Sequence, residues 1–176
     1  MRYDEGMNDD STVVAPDDSP WLSPEQLSAW VRFIGVVELL PGVLDSQLQR
    51  DSGLSHFEYY VLAILSEAPD RTLRMTGLAA RTNATLPRLS HVVTRLEKRG
   101  FVSRAVCDAD RRAMNARLTD AGWDAVVEAA PGHARTVRSQ VFEPLSDEQV
   151  AQLHTISDLI LGRIDPEGRR SLPYGR

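Results

Sequence analysis

Cysteine is nearly absent from this chain. Cys107 alone cannot form an internal disulfide, and one thiol is too few for a structural zinc site. Long apolar runs are absent as well. They stay far short of the ~20 residues that a membrane span needs, as in Tyr59 to Leu65, which ends in Ala63-Ile64-Leu65, so neither a span nor a membrane partner is expected. The N-terminus is acidic, without the basic-then-apolar order of a secretory leader, which points to a cytoplasmic protein. Catalytic signatures are missing too. There is no Gly-rich phosphate loop, no nucleophile elbow and no carboxylate pair at helical spacing in an apolar setting. His56, His91, His133 and His154 lack metal-ligand spacing. No enzyme activity, metal or cofactor is therefore expected. What is present is 176 residues, 42% hydrophobic, enough for one domain with an appendage.

Charge is unevenly spread. The net value of −5 argues against a nucleic-acid partner. Between Arg71 and Arg117, however, eleven basic residues face only Glu97, Asp108 and Asp110, so that segment is +8 and the remainder −13. Such segregation fits a polyanion-binding module on an acidic scaffold. The plain alternative is a solvated basic face.

The pattern of apolar residues is helical at both ends. Residues 1–20 are Asp-rich and lack periodicity, which reads as a disordered tail. Ser23-Pro24-Glu25 opens a helix carrying Leu27, Trp30, Val31, Ile34, Val37 and Leu40. Pro41-Gly42 predicts a kink, after which Val43, Leu44 and Leu48 resume the helix. Ser55-His56-Phe57-Glu58 is a capping box opening a second helix. A short helix follows over about 76–81, and then a turn at Asn83-Ala84. Thr85 caps a longer helix, with Pro87 in its first turn and Gly100 as its stop. On that helix Leu86, Leu89, Val92, Val93 and Leu96 form one stripe, opposite Pro87, His91, Thr94 and Lys98, with Arg95 close by. Residues 101–106 and 113–118 read as two strands around the charged loop 107–112. Thr119 opens a long helix that Pro131-Gly132 kinks or breaks. Ser146-Asp147-Glu148-Gln149 is a second capping box, opening a last helix that Asp165-Pro166 ends.

A short helix, a tight turn, a longer helix with a polar-basic face and a basic hairpin make a winged helix-turn-helix. The segments Leu65-Ser66-Glu67-Ala68-Pro69-Asp70, Leu73-Arg74-Met75-Thr76-Gly77-Leu78-Ala79 and Arg88 to Gly100 resemble the central block of MarR-family regulators. So do Asp110-x-Arg112 and Leu118-Thr119 with Gly122. The resemblance covers roughly residues 24–164. It implies a mainly α fold with a small β-hairpin wing, flanked by N- and C-terminal helices that form a homodimer. The expected divisions are a tail at 1–20, an N-terminal dimerisation helix at 21–54, the DNA-binding domain at 55–118, C-terminal dimerisation helices at 119–164 and a tail at 165–176. It also implies double-stranded, pseudo-palindromic DNA as partner, location on the nucleoid, and repression relieved by a small ligand. Two residues depart from the family's pattern. Pro87 stands where relatives often have a serine that can hydrogen-bond to DNA. Arg111 replaces the usual wing glycine, adding a cation and removing flexibility.

The candidate recognition-helix contacts are Thr85, Pro87, Arg88, Ser90, His91, Thr94, Arg95 and Lys98. Arginine is the natural reader of guanine, because its fork bonds O6 and N7 together. Arg88 and Arg95 could instead touch only phosphates, which positions without reading sequence. Arg74, Asp110, Arg111 and Arg112 are the candidates at the wing and its flanks, with Arg112 reaching the minor groove or pairing with Asp110. Arg99 and Arg104 are expected on phosphates or in solvent. Trp30, Phe33, His56, Tyr59 and Tyr60 could line a cleft for a small aromatic or phenolic effector, or could simply be core. Three other readings stay open: a regulator with no effector, a redox-responsive one acting through Cys107, and a winged helix used for protein contacts.

Overall fold

The computed structural model describes residues 20–107 and 110–168. Of the expected tails, residues 1–19 and 169–176 lie outside these residues. The chain divides into two compact units, 1–38 and 39–176, each taken by itself below.

Helix α1, Pro24–Ser52, begins in the first unit and ends in the second. Ser23 caps it as expected. Its Oγ accepts from the Gln26 N–H at 3.2 Å, and its own N–H donates to Gln26 Oε1 at 2.9 Å. Pro41 lies inside the helix without ending it. A proline deletes one N–H···O bond, and the turns that follow are anchored by buried Leu44 and Leu48. By length and composition α1 could cross a membrane, contrary to the expectation drawn from uninterrupted runs. In a helix, apolar residues need not be contiguous in sequence to dominate a surface. In the first unit Trp30 and Phe33 are exposed and their rings tilt against each other at 6.4 Å.

The second unit holds the core. Helix α2 is His56–Glu67, strand β1 Thr72–Arg74, α3 Met75–Arg81 and α4 Leu86–Lys98. Strand β2 is Val102–Cys107 and β3 Asp110–Leu118. Helix α5, Asp120–Val137, continues into a wider π turn over Arg138–Phe142. Helix α6 is Asp147–Ile164. Both capping boxes form, at Ser55/Glu58 and Ser146/Gln149. Pro131 does not break α5, which runs through it. Leu48, Leu54, Leu62, Leu65, Leu78, Leu89 and Leu96 are fully buried and interlock α1, α2, α3 and α4.

The sheet is antiparallel with order β1-β3-β2. Strand β1 was not expected. It is three residues long and exists because Thr72, Leu73 and Arg74 pair with Arg117, Ala116 and Asn115. This ties the entry to α3 onto the root of the wing. Strand β3 begins earlier than the sequence pattern suggested, β2 is displaced by one residue, and Cys107 pairs with Asp110 beyond an irregularity at Val106. Gly122 shows how closely α5 docks. A Cβ there would meet the Phe101 carbonyl oxygen and the Leu118 side chain.

Candidate nucleic-acid interface

The helix-turn-helix is held by small, specific devices. At the end of α3 the buried Thr82 hydroxyl donates to the Leu78 carbonyl at 2.8 Å. Asn83 takes a left-handed backbone (φ 50°), which a short polar side chain tolerates. Thr85 then caps α4 by accepting from the Arg88 N–H. Leu89, Val92, Val93 and Leu96 are buried, so the opposite side of α4 must face outward. Leu86 departs from the expected stripe. It is exposed and lines a crevice of about 240 Å³ with Ser90, Arg74, Arg104, Arg112 and Met114. That crevice brings the start of the recognition helix, the start of α3 and the wing to one surface.

On this surface Thr85, Pro87, Arg88, His91, Arg95 and Lys98 are exposed, and Ser90 and Thr94 are half-buried. Arg74, Asp110, Arg111 and Arg112 are exposed as well. Asp110 Oδ1 accepts from the backbone N–H of Arg112 at 3.1 Å, so it stiffens the wing through the main chain. The Arg112 side chain is exposed and makes no hydrogen bond or ion pair among the described residues.

Not every basic residue of the +8 segment is available. Arg104 donates Nε–H and an Nη–H to Glu97 Oε2, at 3.1 and 2.6 Å, and is half-buried. This bond first, against a small desolvation cost, holds the Glu97 carboxyl below its ordinary pKa. Arg99 bonds the Gly53 carbonyl at 2.9 Å and stacks on Phe101. Arg71 pairs with Asp120 and lies over Trp123. These three arginines fasten the module together. Arg88 and Arg95 are also held, Arg88 over the Phe57 ring at 4.5 Å and Arg95 by Glu58 at 3.0 Å. Cys107 is buried at the end of β2, beside the hairpin tip, with Sγ 3.7 Å from an Nη of Arg74, while Asp108 lies outside the described residues.

A second concavity lies between α2 and α5. Tyr59 lines an open groove of about 550 Å³ with His133, Val137, Arg138 and Phe142. The Tyr59 ring is 4.7 Å from His133, and His56 stacks on His133 at 6.0 Å. His133 Nδ1 is buried without a hydrogen-bond partner among the described residues. Burial lowers the pKa of both histidines. For His133 the neighbouring His56 adds to this, and for His56 the nearby Asp45 carboxylate opposes it. His133 was missed in the sequence, although it stands four residues after buried Ala129 and seven after buried Val126, on the inward stripe of α5. Tyr60 turns the other way and donates to the Arg81 carbonyl at 3.4 Å. Trp30 and Phe33 belong to the first unit.

A buried-stripe recognition helix followed by a basic hairpin defines a winged-helix module for duplex DNA. The MarR family model matches residues 52–113. Sco3205 of Streptomyces coelicolor, a MarR family transcriptional regulator solved in complex with DNA, superposes with a TM-score of 0.79 at 43% identity, covering 83% of this chain and 95% of that one. AbsC of the same organism, another MarR family transcriptional regulator, gives 0.78 at 33% identity, over 83% and 98%. The HTH-type transcriptional repressor YetL of Bacillus subtilis is 35% identical over 97 residues, which is 55% of this chain and 58% of that repressor. The chain belongs to the MarR family of DNA-binding transcription regulators, and is not an enzyme.

Proposed function

We propose that the chain is a repressor that binds pseudo-palindromic duplex DNA as a homodimer and is released by a small aromatic or phenolic ligand. The observation that carries the DNA-reading part is the exposed arc Arg88–His91–Arg95 on α4, set beside Arg112 of the wing. Thr85, Pro87, Ser90, Thr94 and Lys98 complete the recognition-helix contact, and Arg74, Asp110 and Arg111 flank it. Dimerisation is supported by α6, which buries none of its residues and leaves Leu153, Ile156, Leu159, Ile160 and Ile164 exposed. Effector binding is supported by the Tyr59–His133 groove. An aromatic ring fits its apolar wall, Arg138 can take a carboxylate, and the unpartnered Nδ1 of His133 can serve a phenol.

The test is fluorescence anisotropy with the DNA upstream of this protein's own gene against random duplex, across a salt series. Half-sites about 10 base pairs apart are expected. With ~8 phosphates neutralised per dimer, log affinity falls against log salt with a slope near −7. Release of the bound DNA by phenolic acids, lost in Tyr59→Ala, supports the effector. Tight binding that no aromatic acid relieves leaves a regulator without one. Equal, weak binding to both DNAs refutes the operator reading.

A further inference from the structure

Glu58 is a carboxylate placed where carboxylates are rarely tolerated. It is 7% exposed on the inner side of α2, facing the recognition helix. Its two oxygens have separate partners. Oε2 accepts from the Ser55 backbone N–H at 3.0 Å, closing the capping box. Oε1 accepts Nε–H of Arg95 at 3.0 Å. Burial opposes its ionisation, but the bonds from Ser55 and Arg95 outweigh that, and its pKa sits below the ordinary value. A carboxylate fixed at both ends cannot swivel, so it also fixes the guanidinium it holds.

Only Nε of Arg95 is used in this contact. The Arg95 side chain remains 56% exposed, and it makes no further hydrogen bond or ion pair among the described residues. Its Nη edge is therefore presented outward in a set orientation. An unrestrained arginine would have to freeze its rotamers on binding, whereas this one is frozen beforehand.

The residue before Glu58 has a parallel place. The Phe57 ring lies under the guanidinium of Arg88 at 4.5 Å. Arg88 and Arg95 are seven residues apart on α4, so they point within ~20° of each other and lie ~10 Å apart along the axis. Adjacent residues of the first turn of α2 thus grip two arginines of one exposed face.

We propose that the first turn of α2 is a positioning element for DNA reading: Glu58 orients Arg95 and Phe57 orients Arg88, so that both forks meet the major groove preset. This rests on the reading, given above, that these arginines contact bases. At ~3.4 Å per base pair, the two contacts fall about three base pairs apart. Glu58 and Phe57 are positioning residues. They need not touch DNA.

The experiment is selection from a pool of randomised duplexes with full-length protein. The affinity of the selected sequence and each of its single-base variants is then measured at several salt concentrations. Arg95→Ala should reduce the preference at one base pair about tenfold, the scale of a lost bidentate contact. Glu58→Gln keeps an oxygen for the cap but turns an amide donor towards Arg95. It should flatten the same base pair while leaving the salt slope unchanged. The double variant should lose no more than either single one. Phe57→Leu, an independent arm if Glu58→Gln folds poorly, should flatten a position about three base pairs away, the one that Arg88→Ala flattens. Ser55→Ala, which weakens the helix cap alone, should lower the melting temperature and leave base preference intact. If Arg95→Ala flattens a base pair that Glu58→Gln leaves at full strength, the positioning role is overturned while the readout stands. If Arg95→Ala changes no base preference, the readout falls, and the inference falls with it.

Discussion

The winged helix and α6 lie in the same compact unit, yet they treat their apolar residues in opposite ways. Around α2, α3 and α4 nearly every large aliphatic is buried, seven leucines of this core completely so. Helix α6 has a good capping box and an apolar stripe at Leu153, Ile156, Ile160 and Ile164, and none of it is covered. An apolar stripe of that length is unfavourable in water unless another surface meets it. The DNA-reading module carries its own core, whereas α6 is shaped for something outside its own unit.

Several changes would break or sharpen this contrast. The largest effect is expected from Leu89→Ala, which opens a cavity beneath the recognition helix. It should cost about 2–5 kcal/mol in urea unfolding and should not be rescued by raising protein concentration. Ile160→Glu should leave the core intact but weaken self-association at least about a hundredfold, read by sedimentation at graded concentrations. If it unfolds the winged helix instead, the two regions are not separable in this way. Arg112→Ala should weaken binding to A·T-rich flanks about tenfold while sparing other flanks, because a narrow minor groove draws arginine. Equal loss on all flanks would mean plain phosphate contact.

The smallest effect is pH dependence, carried by His56 and His133 near neutrality and by Glu58, with Glu97, in acid. His56 and His133 are held below the ordinary histidine value of 6.5, so the unfolded chain takes up protons first. Stability is whole above that pH and falls as the pH drops below it. Glu58 is held below 4.5, so its contribution is present above that pH and is lost on further acidification. Thermal melts should therefore show two successive declines. His133→Gln should flatten the upper one and Glu58→Gln the lower.

Much of this was legible before any coordinates. Ser55, Thr85, Thr119 and Ser146 begin helices because each can accept a hydrogen bond from the main chain one turn on, a property of four consecutive residues. The stripe on α4 is equally local. What stayed hidden depends on distant partners. Strand β1 has no pattern of its own, since three residues become a strand only when β3 lies alongside. Pro41 read as a kink and Pro131 as a kink or a break, because the sequence does not reveal the packing that carries a helix past them. The site divided in the same way. The outer face of α4 followed from its inner one, but His133 lies 77 residues from His56. In Glu58 the local capping role was visible and the long-range grip on Arg95 was not.

Lys98 has a practical consequence. It is the sole lysine in the chain, and it stands exposed in the last turn of α4. Acylating and other amine-selective reagents thus have one side-chain target, on the surface proposed to meet DNA. Modification of Lys98, counted by mass spectrometry, becomes a footprint of occupancy that needs no engineered label. Coupling to solid supports through amines would mask the same surface, so immobilised preparations should be attached elsewhere.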